Sequence, residues 1–378
     1  MASLHLSWAT CLASPRTASV GTSLLPGYYL PHTSDFLSFT SPVVGDGRVF
    51  IEPAFVSPRS LAGFAELVAV DERTGRVDWE RRLGPEGDLS VLPVPVVDNG
   101  RVYAGDLSHL YAFSASSGAL LWKFDAPGTG QAVFPNVGDG RVYFARNFDL
   151  FSLDASTGAL DWTAPLWATA SDSVPPAVIG PTVVIGDCFG GVQAFNTASG
   201  TTTWSVRVSS PSQLANVTSP TFGAGNLIVS NGKKLFAIDA AKGTVMWSRP
   251  EADLVQPVAF VADKGRVFAP TDPGPWQAYS AATGQEEPAF HPVNFGADQT
   301  KVPTGSNDVV FFPTVLGGMK AVDASTGRTV WTMPGNTGAP SSPTAPQDET
   351  SSAAVAGSAM VVLVGRPTGA FLALYSLR

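Results

Sequence analysis

Asp106 and His109 stand three residues apart in Gly-Asp-Leu-Ser-His, a spacing that suits an acid–base pair. The carboxylate would hold the imidazole, and the imidazole would move a proton. Arg146, in Ala-Arg-Asn-Phe-Asp, and Lys301, in Gln-Thr-Lys-Val-Pro, are cations that could hold an anion beside such a pair. These four are the candidate catalytic residues. The candidate ligand-binding residues are Tyr28, Tyr29, His32 and Phe36 from one aromatic-rich segment, with Asn216, Asp187, Cys188 and His291 from elsewhere. Each has a plainer explanation. A loop Asp can cap a turn, a loop His can stand in solvent, and Arg146 can bridge Asp149 as a surface pair of little worth. Motif-bound chemistry is missing: the chain has no Gly-x-Ser-x-Gly elbow, no His-x-x-x-His or Cys-x-x-Cys pattern, no phosphate loop and no dinucleotide fingerprint. An enzyme of this kind would be a lyase, cyclase or hydrolase working without cofactor or metal.

The elements that must carry these residues are short strands. The 378 residues include 38 Gly and 31 Pro, and only 14% are charged, against about 25% in an average soluble domain. Hydrophobic residues make up 44%, so a core is affordable and charge-driven disorder is excluded. The net charge is −8 and no basic block occurs, which argues against a nucleic-acid partner. No run of 18 apolar residues exists, so no membrane-spanning helix is expected. The start, MASLHLSWAT, has neither a basic region nor a long apolar run, and a cytoplasmic protein is expected, with an exported one whose signal has been removed as the alternative. Cys11 and Cys188 are the only cysteines, too far apart in sequence for a metal motif or a disulfide framework.

One pattern recurs along the chain: apolar-x-Ala-apolar-Asp-x-x-Thr/Ser-Gly-x-x-x-Trp. It ends at Trp79, Trp122, Trp162, Trp204, Trp247 and Trp331, with a weaker copy ending at Pro288. Its turn glycines are Gly75, Gly118, Gly158, Gly200, Gly243, Gly284 and Gly327, spaced 40 to 43 residues apart. Each copy reads as a hairpin closed by a Thr-Gly or Ser-Gly turn, where Gly accepts positive φ at little cost. A second hairpin with an Asp-Gly or Asn-Gly turn precedes each, as in SPVVGDGRVFI at 41–51 and NVGDGRVYFA at 136–145. Four strands per forty-odd residues predict an all-β fold, an eight-bladed β-propeller of four-stranded antiparallel blades in one domain over 1–378. Residues 4–10 would supply the strand that the last blade lacks, and 40–378 would form blades 1–8. Seven blades with a loose end is the plainer alternative.

The pattern Ala-x-Asp-x-x-Thr-Gly-x-x-x-Trp resembles the repeat of the quinoprotein, PQQ-type eight-bladed propellers, and the chain is also similar to the outer-membrane-assembly lipoprotein propeller. That resemblance implies that Trp8, Trp79, Trp122, Trp162, Trp204, Trp247 and Trp331 pack between Ala and Gly of the neighbouring blade. Pro288 should then loosen one junction. Quinone enzymes of the family use adjacent cysteines and a calcium site, which this sequence does not reproduce, so no cofactor is expected.

In such a propeller the Gly turns lie on one face and the irregular links on the other. His32, His109, His291 and both cysteines are expected on the link face, around the channel mouth. Residues 11–39 would be a lid over it or an apolar segment against the first blade, and 52–66 and 335–352 would be further long loops. The expected ligand is a small molecule on that face, with a protein partner as the alternative and a monomer as the default.

Overall fold

The computed structural model describes residues 4–11, 36–56, 63–84, 93–128, 132–170, 174–210, 215–250, 262–263, 265–270, 275–291, 303–306, 308–314, 318–333, 349–350, 353–356, 359–366 and 369–377. They form an all-β propeller built on four-stranded antiparallel blades. The second sheet shows the plan. It runs Val96–Asp98, Arg101–Gly105, His109–Ser114 and Leu120–Asp125 from the innermost strand outward. Strand Arg101–Gly105 is apolar on both sides: Val102 and Ala104 pack against the first sheet, and Tyr103 packs toward the third. Burial of both faces explains why these strands read as unbroken apolar runs.

Seven sheets each come from one continuous stretch of chain. A further sheet joins the two ends: Leu4–Cys11 pairs antiparallel with Gly369–Leu377, Trp8 opposite Leu374. The innermost strands neighbour one another in chain order from Val43–Gly45 to Ala177–Ile179 and again from Thr221–Gly223 to Ala354–Ala356, and Ala354–Ala356 lies beside both Thr304–Ser306 and Val43–Gly45.

The repeat's residues account for the turns. Asp71 Oδ1 accepts hydrogen bonds from the Thr74 amide and hydroxyl, and Asp154 and Asp323 hold their turns in the same way. Gly118, Gly158, Gly200, Gly243 and Gly284 take positive φ under a neighbouring indole, where a Cβ would meet ring atoms of Trp79, Trp122, Trp162, Trp204 and Trp247 in that order at 2.5–2.7 Å. Those five indoles donate from Nε1 to the carbonyls of Ala115, Ala155, Thr197, Ala240 and Ala281 at 3.0–3.1 Å.

Several expectations need correcting. The sixth sheet has three strands, because Glu286 makes only an isolated bridge to Tyr279 and Pro288 has no amide to continue a ladder. That junction is nevertheless filled. Phe290 is buried edge-on against Phe268, and the His291 carbonyl occupies the space over Gly327 where an indole lies elsewhere. Residues 52–66 are not a plain loop: they contain strand Pro53–Val56 and the start of Gly63–Asp71. Cys11 ends a strand instead of standing in a loop. Of the expected lid at 11–39, Phe36–Phe39 pairs with Pro53–Val56, and 12–35 lie outside the described residues.

Candidate functional site

On the face opposite the glycine turns, the outer strands of the second, third and fourth sheets lead into links that hang on the turn between the two middle strands. Ala126 donates to the Ser108 carbonyl, Leu166 to Phe148 and Val208 to Gly190. Further along, Val133 donates to the Asp106 carbonyl, Ala170 to Asn147 and Val217 to Asp187. The middle turns are therefore fixed pegs, and the candidate residues sit on them.

The first peg carries Asp106 and His109. Asp106 is buried where strand Arg101–Gly105 ends, and its Oδ1 accepts the amides of Ser108 and His109, both at 2.6 Å. His109 Nδ1 lies 2.9 Å from Asp106 Oδ2, and the Tyr111 hydroxyl donates to that same oxygen at 2.7 Å. A carboxylate only accepts, so Nδ1 carries a proton and Nε2 is the atom left to receive one. Nε2 points toward the exposed Asp125 carboxylate at 3.6 Å. Burial, and then the bond to Asp106, push the Tyr111 hydroxyl up, so it remains a neutral donor. The Asp106 carboxylate thus caps the turn and also holds the imidazole.

Glu52 faces this peg from the first sheet. It is fully buried just beyond strand Arg48–Ile51, and neither carboxylate oxygen has a hydrogen-bond partner among the described residues. Burial, with a smaller contribution from the Asp106 charge, raises its carboxyl well above the usual range.

Arg146 is not a surface residue. It is buried and donates from Nη2 to the Gly128 carbonyl at 2.8 Å, so it braces the link out of the second sheet. Asp187 is likewise buried, and its Oδ1 accepts the amides of Phe189 and Gly191 at 2.8 and 2.7 Å. Cys188 is half-buried with Sγ 2.9 Å from Thr169 Oγ1. Asn216 is half-buried between Ala215, which bridges Phe189, and Val217, which bonds Asp187. It precedes the inner strand Thr221–Gly223 and does not begin it. His291 is on the wrong face: its amide donates to Thr326 of a glycine turn. Phe36 is described only as backbone, and Tyr28, Tyr29, His32 and Lys301 lie outside the described residues.

Sequence reasoning missed Glu52, Tyr111, Phe148, Trp167 and Arg207. Phe148 and Trp167 are 58% and 45% exposed although the Phe148 carbonyl holds Leu166 in place beside Trp167. The Trp167 amide is pinned by Gln193 Oε1 at 2.7 Å, and the Arg207 guanidinium lies over its ring at 4.6 Å. The available signal was Phe148 in the turn and Trp167 outside the repeat's Trp position. Away from these residues, an open groove of about 430 Å³ runs on the glycine-turn face beside Asp139 and Pro181.

Among the described residues no group of three or more His, Cys, Asp or Glu is placed to hold a metal ion, and the two cysteines are not adjacent in sequence.

Comparison with known proteins supports this outline. A segment of 94 residues is 33% identical to tetrathionate hydrolase from Acidithiobacillus ferrooxidans, covering 23% of this chain and 19% of that protein, so the chain matches about a fifth of that relative's length. The fold is similar to that of BamB from Moraxella catarrhalis, with TM-score 0.63 and 16% identity over 90% of this chain and 99% of that one. It is also similar to quinohemoprotein alcohol dehydrogenase from Comamonas testosteroni, with TM-score 0.66 and 14% identity over 99% of this chain and 76% of that one. At such identities the likeness shows fold alone. The family model for outer membrane protein assembly factor BamB matches residues 32–133, 106–284 and 251–376, and the chain belongs to that family.

Proposed function

We propose that this chain is a non-catalytic protein-interaction propeller of the assembly-factor kind, with partner polypeptides docking on the link face around Phe148 and Trp167. The observation that carries this is the pair of large aromatic side chains left exposed on hydrogen-bonded backbone. Aromatic residues beside an Arg are typical anchors of protein interfaces, and rigid backbone lowers the ordering cost of binding. The family model supports the same class of function. We take the sheet that joins the chain ends as an eighth blade, with the ring a monomer that needs no cofactor. An assembly role implies work in the cell envelope in place of the cytoplasm.

A photo-crosslinker at Phe148 should capture a protein in the native cell, and one at Phe222, exposed on the glycine-turn face, should not. A double Phe148→Ser, Trp167→Ser variant should keep its melting temperature and lose the partner. Equal capture from both faces, or full function of the double variant, overturns the proposal.

One observation favours a second function. His109 is oriented by Asp106 with Nε2 available, the arrangement expected of a general base for a small-molecule ligand. Saturable thermal stabilisation by a metabolite, lost in His109→Ala and Asp106→Asn, would support it. Unchanged stabilisation in both variants would remove it.

A further inference from the structure

We propose that Glu52 is a proton sensor at the junction of the first two sheets: the junction is tight when Glu52 is a neutral acid and loosens when it ionises. The geometry is specific. Phe50, two residues earlier on the same side of the strand, packs into the cluster of Leu67, Leu83, Ala104 and Tyr111. Glu52 enters the same seam, fully buried, with neither oxygen hydrogen-bonded among the described residues. A neutral carboxyl is tolerable in such a wall, whereas an unpaired carboxylate is not.

The surrounding charges sharpen the effect. From the second sheet, Asp106, His109 and Tyr111 face the seam, and Asp106 is already held as an acceptor by two amides, the imidazole and the phenol. None of those donors is free for Glu52. From the outer strand of the first sheet, Arg81 points away, donating from Nε to Gly118 and from Nη2 to Ser117 on the glycine-turn face. Leu83 of that strand and Ala65 and Leu67 of Gly63–Asp71 bring only apolar groups to the seam. Gly84 closes it from above, where a Cβ would meet Asp106 Oδ2 at 2.9 Å. Ionised Glu52 would stand beside the Asp106 charge with no cation facing it from these elements.

The sign follows. A carboxyl whose folded-state value is raised contributes stability that is fully present below its unfolded value and is lost as pH rises through the folded one. One such group changes the folding equilibrium by up to about tenfold per pH unit within that window.

The test compares the wild-type chain with Glu52→Gln, following melting temperature and hydrogen exchange of Arg101–Gly105 from pH 5 to 9. The wild type should lose stability and exchange protection on the alkaline side, and Glu52→Gln should stay flat and be the more stable there. Parallel profiles overturn the proposal. If Glu52→Gln does not fold, the infrared spectrum of wild type carrying labelled Glu decides. A protonated-carboxyl band that persists at pH 6 and disappears on alkaline titration supports the sensor, and its absence at pH 6 overturns it.

Discussion

A single carboxylate oxygen organises the glycine turns that begin at Asp71, Asp154, Asp239 and Asp323. Asp154 Oδ1 accepts from the amides and hydroxyls of both Ser156 and Thr157. Those side-chain hydrogen bonds bring its carboxyl down to about 2, and the same hydrogen-bonded turns lower Asp71 and Asp323. Such groups contribute stability present above the unfolded value of about 3.9, and it is lost as pH falls through the folded one. Asp154→Asn should therefore shrink the acid-side fall in stability between about pH 4 and pH 2, as followed by circular dichroism; an unaltered acid limb would refute the assignment. Glu52 works with the opposite sign, so the molecule is pressed from both ends of the pH scale by carboxyls in contrary surroundings. The turn carboxylates were legible in the sequence because Asp-x-x-Thr-Gly is a local pattern. Glu52 was not, since its meaning depends on Leu83 and Asp106, neither of them local to it.

At the scale of strands and hairpins, stability rests on indoles that reach into the next sheet. Trp122 is buried, donates to Ala155 and rests on Gly158. Trp122→Ala should cost about 3–5 kcal/mol in denaturant unfolding. Gly158→Ala strikes the same contact from the other side, because the new methyl would need positive φ and would lie 2.7 Å from the Trp122 ring. It should destabilise by more than the roughly 1 kcal/mol expected of backbone strain alone. The hairpins and their phase were legible because turn glycines and tryptophans repeat at near-constant spacing. The filling of the Pro288 junction by Phe290 was not, for it replaces a side chain with one from a different sequence position. Pegs bearing Asp106, Arg146 and Asp187 were recognised as special, yet whether each residue faces solvent or braces a link depends on the crossing chain above it.

On the whole molecule, the link face and the glycine-turn face differ in kind. The turn face repeats one local solution, and the link face varies around fixed pegs, which is where binding is expected of a scaffold with rigid walls. One sheet pairs strands from opposite ends of the described chain. Removing residues 1–11 should expose the edge of strand Gly369–Leu377, lower the melting temperature and promote association seen by light scattering. A truncated chain that stayed monomeric with unchanged stability would show that the pairing contributes little.

That pairing also has a consequence for the order of folding. Leu4 and Leu377 are partners across nearly the whole described chain, whereas every other sheet pairs strands from one continuous stretch. Bringing distant segments together costs more chain entropy than closing a hairpin, so this sheet is expected to form after the others. Until it does, Leu4–Cys11 and Gly369–Leu377 each present an unpaired apolar edge, which is a template for association between copies.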